Sequence, residues 1–154
     1  MEKYDVAIIG AGPAGTAAAI SLAGKGYRVA LIDKEKFPRD KLCGDFINPI
    51  NWPILRELGV ENDVLSSEHD KVTAFRITAC SGEHAQVRLP ADNSAPAFGL
   101  GLSRTRFDVT LLRKAERKGA VILQGCRIKS LEREPRSWEL LLDQASGDDE
   151  IRAH

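Results

Sequence analysis

The sequence predicts an α/β fold that combines a parallel βαβ unit with an antiparallel hairpin from a second sheet. Two apolar runs, residues 6–9 and 29–32, are typical of buried strands, and the Ala-rich stretch 16–23 between them is typical of a helix. Residues 72–89 then change to the two-residue alternation of a β-hairpin. A parallel βαβ series does not contain such a hairpin, so the chain is expected to leave the first sheet for a second one.

The composition is that of a globular protein and excludes several classes of partner. The 154 residues suit one domain, and 22 Lys and Arg balance 22 Asp and Glu, which disfavours a nucleic acid or an anionic membrane surface. No run approaches the roughly 20 apolar residues of a transmembrane segment, and residues 1–9 are predicted to be a strand, not a leader. Widely spaced cysteines and histidines predict neither disulfides nor a metal site, and therefore a cytoplasmic location.

The loop between the first strand and the first helix has the spacing G-x-G-x-x-G. Its residues are Gly10, Ala11, Gly12, Pro13, Ala14 and Gly15. The first glycine allows a tight turn, the second lets a pyrophosphate approach the backbone, and the third lets the helix pack closely. The helix N-terminus favours a phosphate, and proline suits its first turn. An ordinary glycine turn without a ligand is the alternative interpretation.

An acid ends the second predicted strand. Asp33 follows the glycine loop at about the twenty-residue spacing that is expected of a ribose-binding acid. Its carboxylate can accept hydrogen bonds from ribose hydroxyls, whereas a 2′-phosphate would meet a like charge. The loop and the acid together predict a dinucleotide site and disfavour NADP.

Residues 35–49 are predicted to form a long ordered loop. The segment is polar, is interrupted by Pro and Gly, and sets Arg39, Lys41 and Cys43 close together. Long loops in compact domains usually have a function, so we expect this one to contact the ligand. The alternative is a solvated surface loop with one buried cysteine.

The rest of the chain is predicted to hold two more helices and several short strands. The helices span 51–59 and 103–118, and Thr105 and Asp108 have the spacing of a capping box. The connections are 60–70 and 91–102. Residues 120–123 are predicted to be a wholly apolar strand of the type buried on both faces of a parallel sheet. Residues 128–131 and 138–142 follow as the strands of a small meander, and residues 144–150 follow as a polar tail.

Several motifs in order resemble one family. The glycine loop, Asp33-Lys34, the segment Arg39-x-Lys41-x-Cys43-Gly44 and the segment Ser103-Arg104-x-x-Phe107-Asp108 follow one another. This series resembles the FAD-dependent oxidoreductases that are built like para-hydroxybenzoate hydroxylase. Residues 39–44 are most similar to the geranylgeranyl-reductase-like flavoproteins of that superfamily. The resemblance implies that the cofactor is FAD.

The resemblance implies roles for residues at the adenosine end of FAD. The loop from Gly10 to Gly15 would hold the pyrophosphate, and Asp33 would hold the adenosine ribose. Lys34 would lie beside the adenosine, and Ile128 would face the adenine through its backbone.

The resemblance also implies roles toward the flavin. Arg39 would reach the pyrophosphate or the flavin side, and Arg104 would contact the ribityl-phosphate region, while Asp108 is expected to cap its helix. Cys43 and Gly44 would lie near the isoalloxazine ring. Without a His or metal partner beside it, Cys43 is predicted to be a packed or substrate-lining thiol and not a nucleophile. No acid–base pair stands out, so no catalytic residue is assigned.

The resemblance further implies two domains and a longer parent protein. Residues 1–70 and 100–154 are assigned to the FAD-binding domain, and 71–99 to a hairpin excursion of the substrate domain. Family members are longer and carry a second FAD motif, a strand that ends in Gly-Asp or Asp-Gly. Residues 147–149 follow a polar turn and do not match it. We therefore expect an incomplete fold, the N-terminal part of a flavoprotein.

The predicted function is FAD binding in a flavin-dependent oxidoreductase that reduces an isoprenoid or another small apolar substrate. A lipid substrate would bring peripheral association with a membrane. A flavin-dependent aromatic monooxygenase is one alternative, and a non-catalytic dinucleotide-binding module with a partner chain that completes the fold is another. An NAD-dependent dehydrogenase would share the glycine loop and Asp33 but would leave the hairpin and residues 39–44 unexplained.

Overall fold

The computed structural model describes residues 2–43, 45–89, 96–144 and 147–154. Its strands are β1 Glu2–Tyr4, β2 Val6–Ile9, β3 Val29–Asp33, β4 Phe46–Ile47, β5 Asp70–Val72, β6 Ala74–Thr78, β7 His84–Arg88, β8 Gly99–Gly101, β9 Val121–Gln124, β10 Arg127–Glu134, β11 Ser137–Gln144 and β12 Gly147–Ala153. Its α-helices are α1 Pro13–Ala23, α2 Trp52–Glu57, α3 Glu61–Ser66 and α4 Arg104–Arg117, and a 3₁₀ turn covers Pro49–Asn51.

The chain divides into two compact units. The first unit consists of Met1–Arg39 and Asp108–His154, and the second unit consists of Asp40–Phe107. The sequence-based division concerns cofactor and substrate binding, with 1–70 and 100–154 set against 71–99, and it stays a prediction. Gly44, which was predicted to lie near the flavin, falls outside the described residues, as does the stretch 90–95.

A parallel sheet in the order β2-β3-β9 forms the centre of the first unit, as the sequence predicted. Helix α1 connects β2 to β3 and completes the βαβ unit. β3 is buried along its whole length, which its run of apolar side chains requires. The prediction that β9 is buried on both faces is wrong. It lies at an edge of the described sheet, and Val121 is 40% exposed.

The second sheet of the first unit has the order β1-β12-β11-β10. β10 and β11 form the predicted meander, but the polar tail predicted at 144–150 is wrong, because β12 occupies most of it. β12 pairs in parallel with β1 and antiparallel with β11. Its Ile151 and Ala153 enter a core that also contains Tyr4 and Ile32. One hydrophobic core of the first unit therefore lies between its two sheets.

The second unit contains the predicted hairpin and a small antiparallel sheet. β6 and β7 pair antiparallel, with Phe75 opposite Val87 and Ile77 opposite Ala85, so the hairpin is confirmed. β4, β8 and β5 form a three-stranded sheet in that order. Both predicted connections are wrong in part, because 60–70 contains α3 and 91–102 contains β8. Helix α3 has only six residues, which is too short for a helical period to show in the sequence.

Helix α4 begins two residues earlier than the predicted capping box allows. The amide of Arg106 donates a hydrogen bond to the Ser103 hydroxyl at 3.4 Å, so Ser103 takes the position of the N-cap. The predicted cap at Thr105 and Asp108 is therefore wrong. No helix in the part of the chain that the structure describes is long and apolar enough to cross a bilayer.

Candidate functional site

The backbone itself requires two of the three glycines in the loop between β2 and α1. Gly10 has a φ of 101°, a conformation that side chains disfavour, and its amide donates to the Ile32 carbonyl at 2.7 Å. A Cβ on Gly15 would lie 1.9 Å from the Gly10 carbonyl oxygen. Gly10 thus allows the turn out of β2, and Gly15 allows α1 to pack onto that turn.

Gly12 is different, because the fold does not require it. Its φ of −73° and ψ of −178° suit any residue, and among the described residues the closest atom to a Cβ there would be Nη2 of Arg39 at 3.8 Å. This is an ordinary van der Waals contact. A side chain at this position would instead fill open space in front of α1. The glycine therefore leaves room for a group that is not part of the chain.

Helix α1 begins at this open space. Pro13 occupies its first turn, and Gly12 precedes it as an N-cap residue that has no side chain to cap the first-turn amides. The positive end of the helix dipole and the first-turn amides therefore point where an added anion can bind. Ala14 lies in the same turn, between Pro13 and Gly15.

Asp33 lies at the carboxyl end of β3 and is tied to the glycine loop. Its Oδ2 accepts a hydrogen bond from the Ala11 amide at 2.7 Å, and its Oδ1 accepts one from the Glu35 amide at 2.9 Å. The residue is only 8% exposed. Lys34, by contrast, is exposed, with its Nζ 3.9 Å from Glu35.

Arg39 brings a buried cation to the glycine loop. Its side chain is 14% exposed, and its Nη2 lies 3.5 Å from Asp108 Oδ2 and 3.9 Å from Asp33 Oδ2. The guanidinium also stacks over the Phe37 ring, 4.8 Å from its centroid. We call the open space between Gly12, the start of α1 and Arg39 the Gly12 cradle. The site therefore combines this cradle with the guanidinium of Arg39 and with the two carboxylates that lie near the guanidinium.

Sequence reasoning missed the position of Asp108. It was predicted to cap α4, but it is 1% exposed and faces Arg39 from the second turn of the helix. One signal was available: Leu111, Leu112 and Ala115 mark the buried face, and Asp108 lies three and four residues before the leucines. An acid on the buried face of a helix needs a cationic partner.

Ile128 lies near the end of β10 that is close to Asp33. The Cys126 amide donates to the Asp33 carbonyl at 3.0 Å, so the chain enters β10 beside the carboxyl end of β3. The side chain of Ile128 is half-buried against the core between the two sheets. Its predicted contact with adenine stays a prediction.

In the second unit, Cys43, Asp45 and Arg104 form a separate cluster. The Arg104 amide donates to Asp45 Oδ1 at 2.9 Å, and Asp45 has a φ of 50°. Cys43 is exposed, so the packed alternative for its thiol is wrong. The pKa of the Cys43 thiol is lowered, mainly by a hydrogen bond from the Asp45 backbone and secondly by one from the Arg104 side chain. This cluster therefore raises the share of Cys43 that is thiolate at any given pH.

The residues of the first unit fit a dinucleotide. No group of three or more His, Cys, Asp or Glu side chains in the described ranges could hold a metal ion. The Gly12 cradle, the start of α1 and Arg39 supply amides and a cation, which suit a pyrophosphate. A parallel βαβ unit with this loop defines a Rossmann-like dinucleotide-binding protein.

Comparison with known proteins identifies the family within this class. Residues 3–154 match the model of the FAD binding domain family. The chain belongs to this family, and its cofactor is FAD. The predicted fold class and the resemblance to FAD-dependent oxidoreductases are therefore confirmed.

Two relatives illustrate the similarity in sequence. The chain is 33% identical over 146 residues to menaquinone reductase of Mycobacterium tuberculosis, an alignment that covers 95% of this chain and 35% of that protein. It is 33% identical over 129 residues to squalene monooxygenase 1,1 of Brassica napus, covering 82% of this chain and 25% of that protein.

Two solved structures illustrate the similarity in fold. A flavoprotein/dehydrogenase from Cytophaga hutchinsonii has a TM-score of 0.88 and 27% identity, covering 99% of this chain and 38% of that one. A geranylgeranyl bacteriochlorophyll reductase-like protein from Thermoplasma acidophilum has a TM-score of 0.79 and 24% identity, covering 99% of this chain and 38% of that one. The chain thus spans little more than a third of these proteins.

Proposed function

We propose that this chain holds the adenosine and pyrophosphate end of FAD in a flavin-dependent reductase of an isoprenoid or similar apolar substrate. The open cradle at Gly12 carries the proposal, because the fold leaves space there that it does not need. A pyrophosphate in that space would lie at the N-terminus of α1 and beside the guanidinium of Arg39.

Each predicted residue has a place in this proposal. The loop from Gly10 to Gly15 binds the pyrophosphate through its amides, and Asp33 orders the loop while its remaining lone pairs face the adenosine ribose. Lys34 and Ile128 lie toward the adenosine. FAD supplies the electron transfer, and the protein binds and orients it.

The second unit is proposed to serve the flavin and substrate end. Arg104 and Cys43 form one cluster there, and Gly44 follows Cys43 in the sequence. The hairpin of β6 and β7 turns Phe75, Ile77 and Val87 outward as an exposed apolar set. An apolar face of this kind supports the assignment of the hairpin to a domain that handles an apolar substrate.

The relatives support the apolar substrate class. The names contain menaquinone, which carries an isoprenoid chain, and squalene, which is itself an isoprenoid, and one of the two relatives is named a reductase. The other is named a monooxygenase, so oxygen-dependent oxidation of a similar substrate is the second candidate. Because the chain spans about a third of the first relative and a quarter of the second, the proposed activity belongs to the longer protein.

A visible absorption spectrum of the purified chain, recorded after gel filtration with and without added FAD, tests the proposal. We expect flavin absorption to co-elute with the protein. Retention of NAD in place of FAD would contradict it and favour a dehydrogenase. Flavin that is retained only together with a second polypeptide would favour the non-catalytic module.

A further inference from the structure

We infer that Asp108 is a positioning residue that holds the guanidinium of Arg39 against the glycine loop, where it meets the FAD pyrophosphate. The inference rests on the proposed FAD site and adds a residue to which that proposal gave no role. Asp108 does not face the Gly12 cradle through any described contact; it would act through Arg39.

Arg39 lies near two carboxylates, which differ in their distance from the guanidinium and in their other hydrogen bonds. Both oxygens of Asp33 accept backbone amide hydrogen bonds, at 2.7 and 2.9 Å, and Arg39 Nη2 lies 3.9 Å from the nearer of them. Asp108 Oδ2 is closer to the same Nη2, at 3.5 Å. Asp108 is therefore the nearer carboxylate to the guanidinium, while Asp33 shapes the loop.

Burial fixes the position of the Asp108 carboxylate, and so the place where Arg39 can contact it. Asp108 is 1% exposed, and it projects from the second turn of a helix whose buried face also carries Leu111 and Ala115. A carboxylate fixed on a helix in this way has little freedom to follow a moving partner. The Phe37 ring bounds the guanidinium on another side, 4.8 Å from its centroid. Asp108 on helix α4 and the Phe37 ring together fix the position of the Arg39 guanidinium.

The result is a pre-positioned cation at the open cradle. Nη2 of Arg39 stands 3.8 Å from the place where a Gly12 side chain would begin. An arginine that is already ordered loses less conformational entropy when it binds a phosphate. Without Asp108, the guanidinium would lose the nearer of the two carboxylates and keep the longer contact to Asp33, whose oxygens already accept two amide hydrogen bonds.

Affinities for ADP and for adenosine separate this role from a merely structural one. The chain and its Asp108→Asn variant are titrated with both ligands and followed by NMR. We expect Asp108→Asn to weaken ADP binding about tenfold, the scale of a charge-assisted hydrogen bond, and to leave adenosine binding unchanged. The control Glu116→Gln removes an exposed acid from the same helix and should change neither affinity.

A double-mutant cycle tests whether Asp108 acts through Arg39. Arg39→Ala should weaken ADP binding at least as much as Asp108→Asn, and adding Asp108→Asn to Arg39→Ala should weaken it no further. Losses that multiply would overturn the inference, and so would an Asp108→Asn variant with unchanged ADP affinity or with an equal loss for adenosine.

Two outcomes complete the design. Circular dichroism shows whether Asp108→Asn folds. If it does not, the test is the comparison of ADP affinity between Arg39→Ala and the double variant. The inference predicts equal affinities, because Arg39→Ala already removes the side chain that Asp108 would position. If the unmodified chain binds neither ADP nor FAD, the proposed function fails and the inference fails with it. Failure of the inference alone leaves FAD binding by the unmodified chain intact.

Discussion

The carboxylate of Asp33 accepts a hydrogen bond from the backbone amide of Ala11 at 2.7 Å. The acid at the end of β3 thus fixes the middle of the glycine loop that follows β2. Its second oxygen accepts the Glu35 amide at 2.9 Å, which holds the chain as it leaves β3. The residue proposed to bind ribose therefore also shapes the site for the pyrophosphate, and the two tasks cannot be separated by simple removal of the side chain.

Asp33→Asn should destabilise the fold as well as weaken FAD binding. An asparagine has one carbonyl oxygen, so one of the two backbone amides would face an NH₂ group in place of an acceptor. We expect the free energy of unfolding to fall by about 1–3 kcal/mol, measured by urea denaturation. Asp143→Asn, an exposed acid on β11, is the matched control. Equal stability of the two variants would contradict the role of Asp33 in the loop.

Alanine at the two neighbouring glycines should separate ligand binding from folding. Gly15→Ala places a Cβ 1.9 Å from the Gly10 carbonyl oxygen and should cost about 1–3 kcal/mol of stability. Gly12→Ala meets only an ordinary contact, so its stability should change by about 0.5 kcal/mol or less. The same methyl should weaken FAD binding roughly tenfold, because it fills the cradle. Thermal unfolding and FAD titration of both variants check this; an unstable Gly12→Ala would show that the fold needs this glycine.

The thiol of Cys43 should react faster at neutral pH than that of Cys126. The Asp45 backbone and the Arg104 side chain lower the Cys43 pKa, whereas burial raises the pKa of Cys126. Because the thiolate is the nucleophile, Cys43 should keep its reactivity to lower pH than an ordinary cysteine. Timed iodoacetamide labelling with peptide mass mapping measures both rates.

Arg104→Ala provides the internal test of that pKa shift. Loss of the guanidinium raises the Cys43 pKa, so the labelling rate at pH 7 should fall and its pH profile should move upward. Arg106→Ala changes an arginine on the same helix that instead pairs with Glu68 at 2.6 Å, and it should leave the rate unchanged. Identical rates in the three proteins would show that Arg104 does not act on the thiol.

Tyr4 should titrate late and should make the fold sensitive to high pH. Burial, and then the hydrogen bond to Glu2, raise the pKa of Tyr4 to about 12 from its ordinary value of 10.0. The unfolded chain loses this proton first, so the stabilisation is fully present below about pH 10 and is lost as the pH rises toward 12. Absorbance at 295 nm should show a late component that Tyr4→Phe removes. A titration without such a component would contradict the burial of the Tyr4 hydroxyl.

The elements that local chemistry determines could be predicted from the sequence. The glycine loop was predictable because a positive φ at Gly10 and a close approach at Gly15 each require glycine. β3 was predictable because every residue in it is buried.

The features that the sequence missed depend on tertiary contacts. In β12 the apolar residues that enter the core, Ile151 and Ala153, come only at the end of the strand, and the acids before them resemble a polar tail. The pairing of Asp108 with Arg39 joins a helix to a distant loop, so the spacing of Asp108 from Leu111 and Leu112 indicates its burial but not its partner.

Competition between FAD and ADP tests the central claim most directly. FAD is titrated into the chain with its fluorescence recorded, and ADP is then added to the complex; Gly12→Val serves as the comparison. We predict saturable FAD binding that ADP displaces, because both place a pyrophosphate in the Gly12 cradle, and no binding to Gly12→Val. FAD binding that ADP does not displace, or that Gly12→Val retains at the same affinity, would contradict the claim that this loop holds the cofactor.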